Sequence, residues 1–386
     1  MPEYIVGNEY ESTVRSTAQR LMPWVRKAEV SADVTKDARG SVVVFPMTIT
    51  PTDDDLTALA LNEAANTAIT NDDRDVSISL EILGDSYHTY DGIASLQETV
   101  AADRSLNSKI KSEAAIAANT LDAKAYAAVS ALPITAPLTF THPMGPDTGG
   151  TNWLDPIAAG LLHIGHEPTS LADANELGAA DKITASILRM MVQSLVNRNI
   201  EPVGYIDAGD LNTFLYECTL TDKQMLDLRG EDGENTIVST NKYMASDKRV
   251  ISGTFMIWEN LILTTSVRGK EVITPGVGDA FYAHRAVISG RDYLGMGASP
   301  VSALPANSAN VERIVMFADV DAAEAMNPQG SHKPIPRIFE IRKVPANDPQ
   351  GRLSNIAWLA HCGFRLLNTL AGIQLITRAS NDPAIV

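Results

Sequence analysis

Residues 92–132 read GIASLQETVAADRSLNSKIKSEAAIAANTLDAKAYAAVSAL. The stretch has no proline and no internal glycine, and apolar residues recur at helical spacing, as in Leu121, Ala125 and Val129. It predicts one long helix, which Pro133 ends. About forty helical residues would extend over roughly 60 Å, so we expect this helix to act as a spine linking separate regions. Alanine at many heptad positions argues against a coiled-coil dimerisation helix.

Two strand patterns precede this helix. Residues 42–45 form a short apolar run, and residues 76–82 alternate between apolar and polar. The alternating apolar residues, typical of a half-buried strand, are Val76, Ile78, Leu80 and Ile82. The segment between the two patterns, 48–75, contains acidic runs at 53–55 and 72–75, which favour a solvated hairpin. It lacks the glycine turn and terminal glutamate of a calcium-binding loop, so we predict no metal site there.

The composition is that of a folded globular protein. The chain has 386 residues, 45% of them hydrophobic and 20% charged, which is enough for two or three packed regions. Forty-seven acidic residues against 31 basic ones give a formal net charge of −16. A nucleic-acid-binding face would need basic residues concentrated in one place to overcome this net negative charge. The cationic clusters in the sequence are short, as at Arg26-Lys27. We therefore predict no nucleic-acid-binding patch.

The sequence carries no sign of secretion, disulfide bonding or membrane insertion. Cys218 and Cys362 lie far apart in apolar surroundings, which indicates neither a disulfide framework nor a metal site. The first four residues lack the basic start of a signal peptide, so we expect synthesis in a reducing cytoplasm. The most apolar stretch, residues 357–376, is interrupted by polar and charged residues and suits a globular element with one buried face.

The remaining segments predict an α+β class. They comprise a second helix over residues 172–197, a strand over 202–206, a capped short helix over 207–217, a β-rich region over 250–267, and C-terminal strands over 314–317, 338–344, 356–364 and 373–377. The second helix is predicted to bury one face made of Ile183, Ile187, Met190, Met191 and Leu195. Methionine is a common filler of apolar cores, so this face needs no redox or metal function.

One short motif suggests an enzyme. His163-Ile164-Gly165-His166 matches the nucleotide-binding signature of class I aminoacyl-tRNA synthetases, and residues 242–246 faintly echo their lysine-serine loop. That chemistry needs the histidines at a helix N-terminus beyond a buried parallel strand. The residues before His163 instead resemble a Pro/Gly-rich loop, so we interpret the match as fortuitous.

No other constellation indicates catalysis. The remaining histidines have no metal-ligand spacing; they are His88, His142, His284, His332 and His361. No phosphate-binding loop, nucleophile elbow or dinucleotide fingerprint occurs after a predicted strand. We predict no catalytic residue, no cofactor and no metal, and hence a protein that is not an enzyme.

The order of segments resembles a known family. Five stretches carry the resemblance: residues 76–86 running into the alanine-rich helix, 199–206, 252–266, 286–295 and 355–377. Together they resemble the major capsid proteins typified by the large podophage N-four, a branch of the tailed-phage coat fold named after phage Hong Kong 97. Each stretch alone is unspecific, and their order carries the resemblance.

The resemblance implies an α+β coat fold with defined regions. These are an N-terminal arm (residues 1–40), an extended loop (41–85), a peripheral domain (86–199 and 306–386) with the spine helix at 92–132, and an axial domain (200–305). The extended loop would lie over a neighbouring subunit, which would cover strand edges that otherwise invite aggregation.

The function implied is self-assembly into the hexamers and pentamers of an icosahedral shell in the virion, made in the host bacterial cytoplasm. The implied partners are other copies of the chain, scaffold and portal proteins, a decoration protein in some members, and enclosed double-stranded DNA bound without sequence specificity. No membrane partner is implied. Two alternatives remain open at this point: an encapsulin-like cellular compartment, and a nucleotide-binding enzyme using His163 and His166.

Overall fold

The computed structural model describes the chain in separate segments. They are residues 22–30, 42–49, 72–91, 99–130, 161–163, 182–197, 200–207, 212–231, 255–274, 280–298, 312–316, 339–345, 353–368, 371–380 and 382. The α-helices are α1 (Thr99–Ser130), α2 (Ala185–Asn197) and α3 (Asp222–Arg229). None of the helices in these segments has the length and apolar character to cross a membrane.

The strands are numbered in chain order. They are β1 (Ala28–Val30), β2 (Val42–Ile49), β3 (Asp72–Ser79), β4 (Glu81–Asp91), β5 (Leu161–His163), β6 (Gly204–Asp207), β7 (Asn212–Thr221), β8 (Phe255–Trp258), β9 (Leu261–Ser266), β10 (Lys270–Ile273), β11 (Phe281–Ser289), β12 (Leu294–Ala298), β13 (Glu312–Met316), β14 (Phe339–Pro345), β15 (Leu353–Leu366) and β16 (Gly372–Thr377). A single 3-10 turn, Val25–Lys27, precedes β1.

The first sheet, sheet 1, supports the long helix α1. Its strands run in the order β1-β12-β15-β14-β13, and β4 pairs with β15. Helix α1 packs on it through fully buried Ile110, Leu121 and Val129. Buried alanines, including Ala117 and Ala125, alternate with these larger side chains. Because alanine is small and favours helix, these positions combine helix formation with close approach of the helix to the sheet.

The second sheet, sheet 2, carries the two shorter helices. Its order is β5-β16-β11-β7-β9-β8, with β10 paired to β11 and β6 to β7. Helix α2 buries Leu188, Met191 and Leu195 in the core of this sheet. Helix α3 begins with a capping box in which Thr221 Oγ1 accepts from Gln224 N and Thr221 N donates to the Gln224 side chain. This reciprocal pair satisfies donors that the first turn of a helix otherwise leaves unpaired.

Strands β2 and β3 form a separate antiparallel pair, here called the hairpin base. Val42 pairs with Ser79 and Val44 with Ser77. The strand pattern breaks at Leu80, and the chain enters sheet 1 as β4. The described parts of the chain thus connect the hairpin base directly to sheet 1.

The chain passes from one sheet to the other at two neighbouring turns. Strand β11 of sheet 2 turns through residues 290–293 into β12 of sheet 1, and β15 of sheet 1 turns into β16 of sheet 2. Three backbone hydrogen bonds join the two turns: Leu367 N to Tyr293 O (3.0 Å), Asn368 N to Asp292 O (3.1 Å) and Gly290 N to Ala371 O (2.8 Å). Gly372 leaves room for the Tyr293 ring, which a Cβ atom would overlap.

Several sequence predictions are confirmed. The long helix is present over the described part of 92–132, and two paired strands lie at the predicted hairpin. The acidic run 72–75, expected between the strands, instead belongs to β3. Strands occur at all four C-terminal positions and in the 250–267 region. The acidic residues 53–55 lie outside the described residues.

Other predictions are wrong, and each has a local physical cause. The second helix begins at Ala185, and residues 182–184 of its predicted range are not helical, since Lys182 forms a β-bridge with Arg378. Residues 172–181 lie outside the described residues. Residues 212–217 belong to strand β7, because they pair with β6 and β9, and the capped helix follows as α3. Ile82 is 62% exposed, since the break at Leu80 ends the alternation that buries Ile78.

We expect the packing of α1 on sheet 1 to dominate stability. Leu121→Ala removes a fully buried side chain and should lower the free energy of unfolding by about 2–5 kcal/mol in urea titrations. The matched control is Leu226→Ala in α3, where the side chain is 51% exposed and the expected change is within about 0.5 kcal/mol. Equal losses in the two variants would contradict this core assignment.

Candidate assembly interface

The hairpin base has one buried and one exposed face. Phe45 and Ile78 are 5% and 1% exposed and face inward. On the outer face, Val42 is 48% and Val44 49% exposed, and the serines opposite them in β3 are exposed too. Strand alternation explains the division, since successive side chains point to opposite sides. Exposed valines beside small polar side chains form a surface that another protein can cover without burying a charge.

Polar contacts from β15 and α1 hold the hairpin base and the start of β4 that follows it. Arg365 Nη1 on β15 donates to Ser77 O (2.9 Å), and Lys124 Nζ on α1 pairs with Glu81 Oε2 at 2.8 Å. The Lys124–Glu81 pair is largely exposed, so it contributes little stability. A cavity of about 360 Å³ lies between β3, α1 and β15 beside these contacts. The base is therefore held by these polar contacts together with the packing of its buried face, which includes Phe45 and Ile78.

The N-terminal segment 22–30 lies at the junction of the sheets. Trp24 N donates to Asp122 Oδ1 on α1 (2.7 Å), and Trp24 Nε1 donates to Ser266 Oγ at the end of β9 (2.9 Å). Lys27 Nζ donates to the carbonyl oxygens of Glu217 and Val287 at 3.2 and 2.9 Å. Burial lowers the pKa of Lys27, and these acceptors compensate for its lost hydration. This segment, predicted to be part of an arm, therefore connects α1 to sheet 2.

Asp122 is the charged centre of that junction. Its side chain is 2% exposed and forms an ion pair with Arg268, the Nε–Oδ2 distance being 3.2 Å. Arg268 also donates to Asn119 O (2.6 Å). Burial raises the pKa of Asp122 to about 6, against the opposing effect of the Trp24 amide and the Arg268 cation. The pair fixes the loop after β9 to the middle of α1.

The C-terminal residues cover a buried histidine. His284 Nδ1 lies 2.8 Å from Thr221 Oγ1, and its Nε2 lies 2.6 Å from Asp382 Oδ2. Lys270 Nζ is 3.2 Å from the other Asp382 oxygen, and Ser380 N donates to Asp227 Oδ2 (3.0 Å). Burial lowers the pKa of His284, partly offset by Asp382.

The hydroxyl, imidazole and carboxylate of this group stand in the order of a hydrolytic triad, but the geometry serves packing. Thr221 is only 4% exposed, and its hydroxyl caps α3 through Gln224 N. A nucleophile needs access to its substrate, which the burial of Thr221 denies. Sequence analysis missed this group because Thr221, His284 and Asp382 are far apart in the chain. The one local signal was the Thr221-x-x-Gln224 capping pattern before α3.

The synthetase-like residues are only partly described. His163 ends strand β5, which pairs in parallel with β16, so the expectation that no parallel strand precedes it is wrong. The Pro/Gly-rich stretch before this strand lies outside the described residues. The edge position of a three-residue strand was not recognisable from its Pro/Gly-rich neighbourhood. His166 and residues 242–246 lie outside the described residues. Within the described segments, no group of three or more acidic, histidine or cysteine side chains is placed to hold a metal ion.

Comparison with known proteins identifies the fold. No protein-family model and no curated protein matches the chain. The capsid of Ralstonia phage GP4 is similar with a TM-score of 0.57 at 12% sequence identity, over 93% of this chain and 89% of that chain. The cyanophage Pam1 capsid asymmetric unit is similar with a TM-score of 0.55 at 12% identity, over 92% and 89%. The chain therefore has the α+β phage coat fold of the Hong Kong 97 type, as the sequence resemblance implied.

The buried imidazole of His284 predicts a loss of stability in acid. Its pKa in the fold lies below the ordinary value of 6.5. The contribution of His284 to stability is therefore fully present above pH 6.5. It declines as the pH falls below 6.5 towards the lower pKa of the folded state. We expect the stability difference between the wild type and His284→Gln, measured by urea unfolding from about pH 7.5 to about pH 4.5, to shrink below about pH 6.5.

The buried carboxyl of Asp122 changes stability with pH in the opposite direction to His284. Asp122 is present in both the wild type and His284→Gln, so its effect cancels in the stability difference between them. Its folded pKa of about 6 exceeds the ordinary 3.8, so its contribution is present below 3.8 and lost as pH rises through 6. Asp382→Asn removes a group that raises the pKa of His284, so in that background the decline should extend to lower pH. A wild-type advantage that stays constant over the whole pH range would refute the prediction.

Proposed function

We propose that this chain is the major capsid protein of a tailed bacteriophage and that copies of it form an icosahedral shell around the genome. The observation that carries the proposal is similarity over about nine-tenths of both chains to two phage capsid structures. The similarity covers about nine-tenths of the chain rather than one short motif. A role in assembly rather than catalysis agrees with the buried, packing role of the Thr221–His284–Asp382 group.

The sheets suggest how the coat domains divide. We assign α1 with sheet 1 to the peripheral domain, sheet 2 with α2 and α3 to the axial domain, and β2–β3 to the extended loop. Several elements then fall outside the ranges expected from sequence. Strand β12 pairs in sheet 1 although 200–305 was expected to be axial. Strands β5 and β16 and helix α2 belong to sheet 2 although 86–199 and 306–386 were expected to be peripheral.

Assembly in this proposal uses the axial domains around each ring axis and the hairpin base across subunit boundaries. Axial domains meet in hexamers and pentamers, while each hairpin lies over the peripheral domain of a neighbour. Val42 and Val44 would lose their exposure there, with a gain of about 25 cal/mol per Å² of apolar surface covered. The gain per subunit is modest, but closed symmetry repeats it at every boundary.

The other partners follow from the same proposal. The enclosed molecule is double-stranded DNA, held without sequence-specific contacts, and a net charge of −16 limits adhesion of the genome to the shell wall. Scaffold and portal proteins assist assembly, and a decoration protein is a further partner. The chain is made in the host bacterial cytoplasm and ends in the virion capsid.

The first test is electron microscopy of the purified chain by negative stain, alone and with a candidate scaffold, together with light scattering. We expect closed shells or free rings of five and six subunits. A monomer or dimer under every condition, particularly one that binds ATP, would refute the proposal and favour an enzyme built around His163. Shells that require a cargo protein encoded beside the chain would instead indicate a cellular compartment.

A point variant tests the hairpin contact. Val44→Asp places a charge on the outer face without touching the buried face, so we expect the monomer to fold normally. Burying that charge at a subunit boundary should lower the yield of shells by about tenfold or more in sedimentation assays. The matched control is Val267→Asp, at a valine that is 80% exposed on the turn after β9, and it should assemble as the wild type does. Equal yields from both variants would rule out the hairpin contact.

A further inference from the structure

Two glycines face each other in the middle of sheet 1. Gly297 on β12 and Gly363 on β15 are direct cross-strand partners. Residues next to them in the same strands, Met296 and Cys362, belong to the core under α1. Because neighbouring side chains alternate across a sheet, the glycine pair lies on the opposite face, where it leaves a patch of bare backbone.

The hairpin base lies on this bare patch. A Cβ atom at Gly297 would lie 2.9 Å from Leu80 Cδ2 and 3.2 Å from Val43 Cβ. At Gly363 a Cβ atom would overlap the carbonyl oxygen of Ser79. Neither glycine has an unusual backbone φ, so close approach rather than conformational freedom is what the position requires.

The two contacts differ in what could relieve them. The Gly297 contact involves the end of the flexible Leu80 side chain, which another rotamer or a smaller residue can move. The Gly363 contact involves backbone, so only movement of the whole strand β3 can relieve it. Gly363 is therefore the strict position and Gly297 the adjustable one.

We propose that the Gly297–Gly363 pair is a seat that fixes the height and direction of the hairpin and so sets where it meets the next subunit. This inference rests on the proposed assembly function. The polar contacts described nearby are the Arg365–Ser77 hydrogen bond and, at the start of β4, the exposed Lys124–Glu81 pair, which do not fix an angle by themselves. The seat supplies the rigid reference surface that these contacts lack.

A small change in height at the glycine pair would produce a larger displacement at the far end of β3. Eight residues of β3 extend about 27 Å at about 3.4 Å per residue. A rise of about 1 Å over a seat two residues long, about 7 Å, would displace the far end of the strand by about 4 Å. A displacement of that size separates a contact surface from its partner, because apolar contacts are lost beyond about 4.5 Å.

The test compares three glycine-to-alanine variants. Gly363→Ala should lift the hairpin base, and Gly297→Ala should do so less, with recovery in the Gly297→Ala/Leu80→Ala double variant; Leu80→Ala alone controls for the trimmed side chain. Gly230→Ala is the matched neutral variant, since its Cβ atom would have its nearest contact 3.4 Å away, within ordinary packing distance. The two readouts are hydrogen exchange of residues 72–79 in the unassembled chain and shell yield by microscopy.

We expect Gly363→Ala to keep a cooperative unfolding transition, to exchange the β3 amides faster, and to form shells at a yield lowered by about tenfold or more. Gly230→Ala should match the wild type in both readouts. Wild-type exchange in Gly363→Ala, or shells of normal yield and diameter from it, would overturn the seat.

Two further outcomes remain decisive. If Gly363→Ala does not fold, the Gly297→Ala series decides: unchanged exchange and assembly, or no recovery with Leu80→Ala, overturns the proposal. If the wild type itself forms no shells, the assembly function fails, whereas the exchange comparison in the monomer still tests whether the glycine pair holds the hairpin.

Discussion

The architecture depends on the two neighbouring turns at which the chain passes between sheet 1 and sheet 2. The turn from β11 to β12 and the turn from β15 to β16 are joined by backbone hydrogen bonds, and the Tyr293 ring lies against Gly372. Gln374 Nε2 also donates to Tyr293 Oη and to Val129 O at the end of α1, at 2.9 and 3.0 Å. Because backbone polar groups cannot be buried unpaired, the paired turns let the chain cross between the two cores at low cost. The positions of α1, sheet 1 and sheet 2 follow from this crossing.

Buried charge reinforces the same junction. Arg285 of β11 is 1% exposed and contacts Gln374 and Glu271, while Tyr126 Oη of α1 donates to Glu271 Oε1 (2.9 Å). Lys27 adds a second buried cation a short distance along β11. Such groups tolerate few alternative arrangements, since losing one partner leaves a charge without compensation. The junction therefore specifies one relative placement of its elements rather than a range.

Local patterns predicted the elements that are regular over many residues, and tertiary contacts decided the rest. The α1 helix was predictable because alanine and apolar spacing agree over its whole length. Residues 212–217 were assigned to a helix because no local signal shows that they pair with β6 and β9. The burial of Trp24 and the glycine seat at Gly297 and Gly363 were equally hidden, since each depends on residues distant in sequence. The family resemblance rested on the order of segments, whereas contacts between residues distant in sequence have no local pattern that predicts them.

The location of strand β16 bears on when the chain can complete its fold. This strand lies between β5 and β11 inside sheet 2, and all six of its residues are buried. Sheet 2 therefore cannot be complete until residues 372–377 have been synthesised, although the partners of this strand come much earlier in the chain. A chain that ended before residue 372 would leave the edges of β5 and β11 without this partner, and unpaired strand edges invite aggregation.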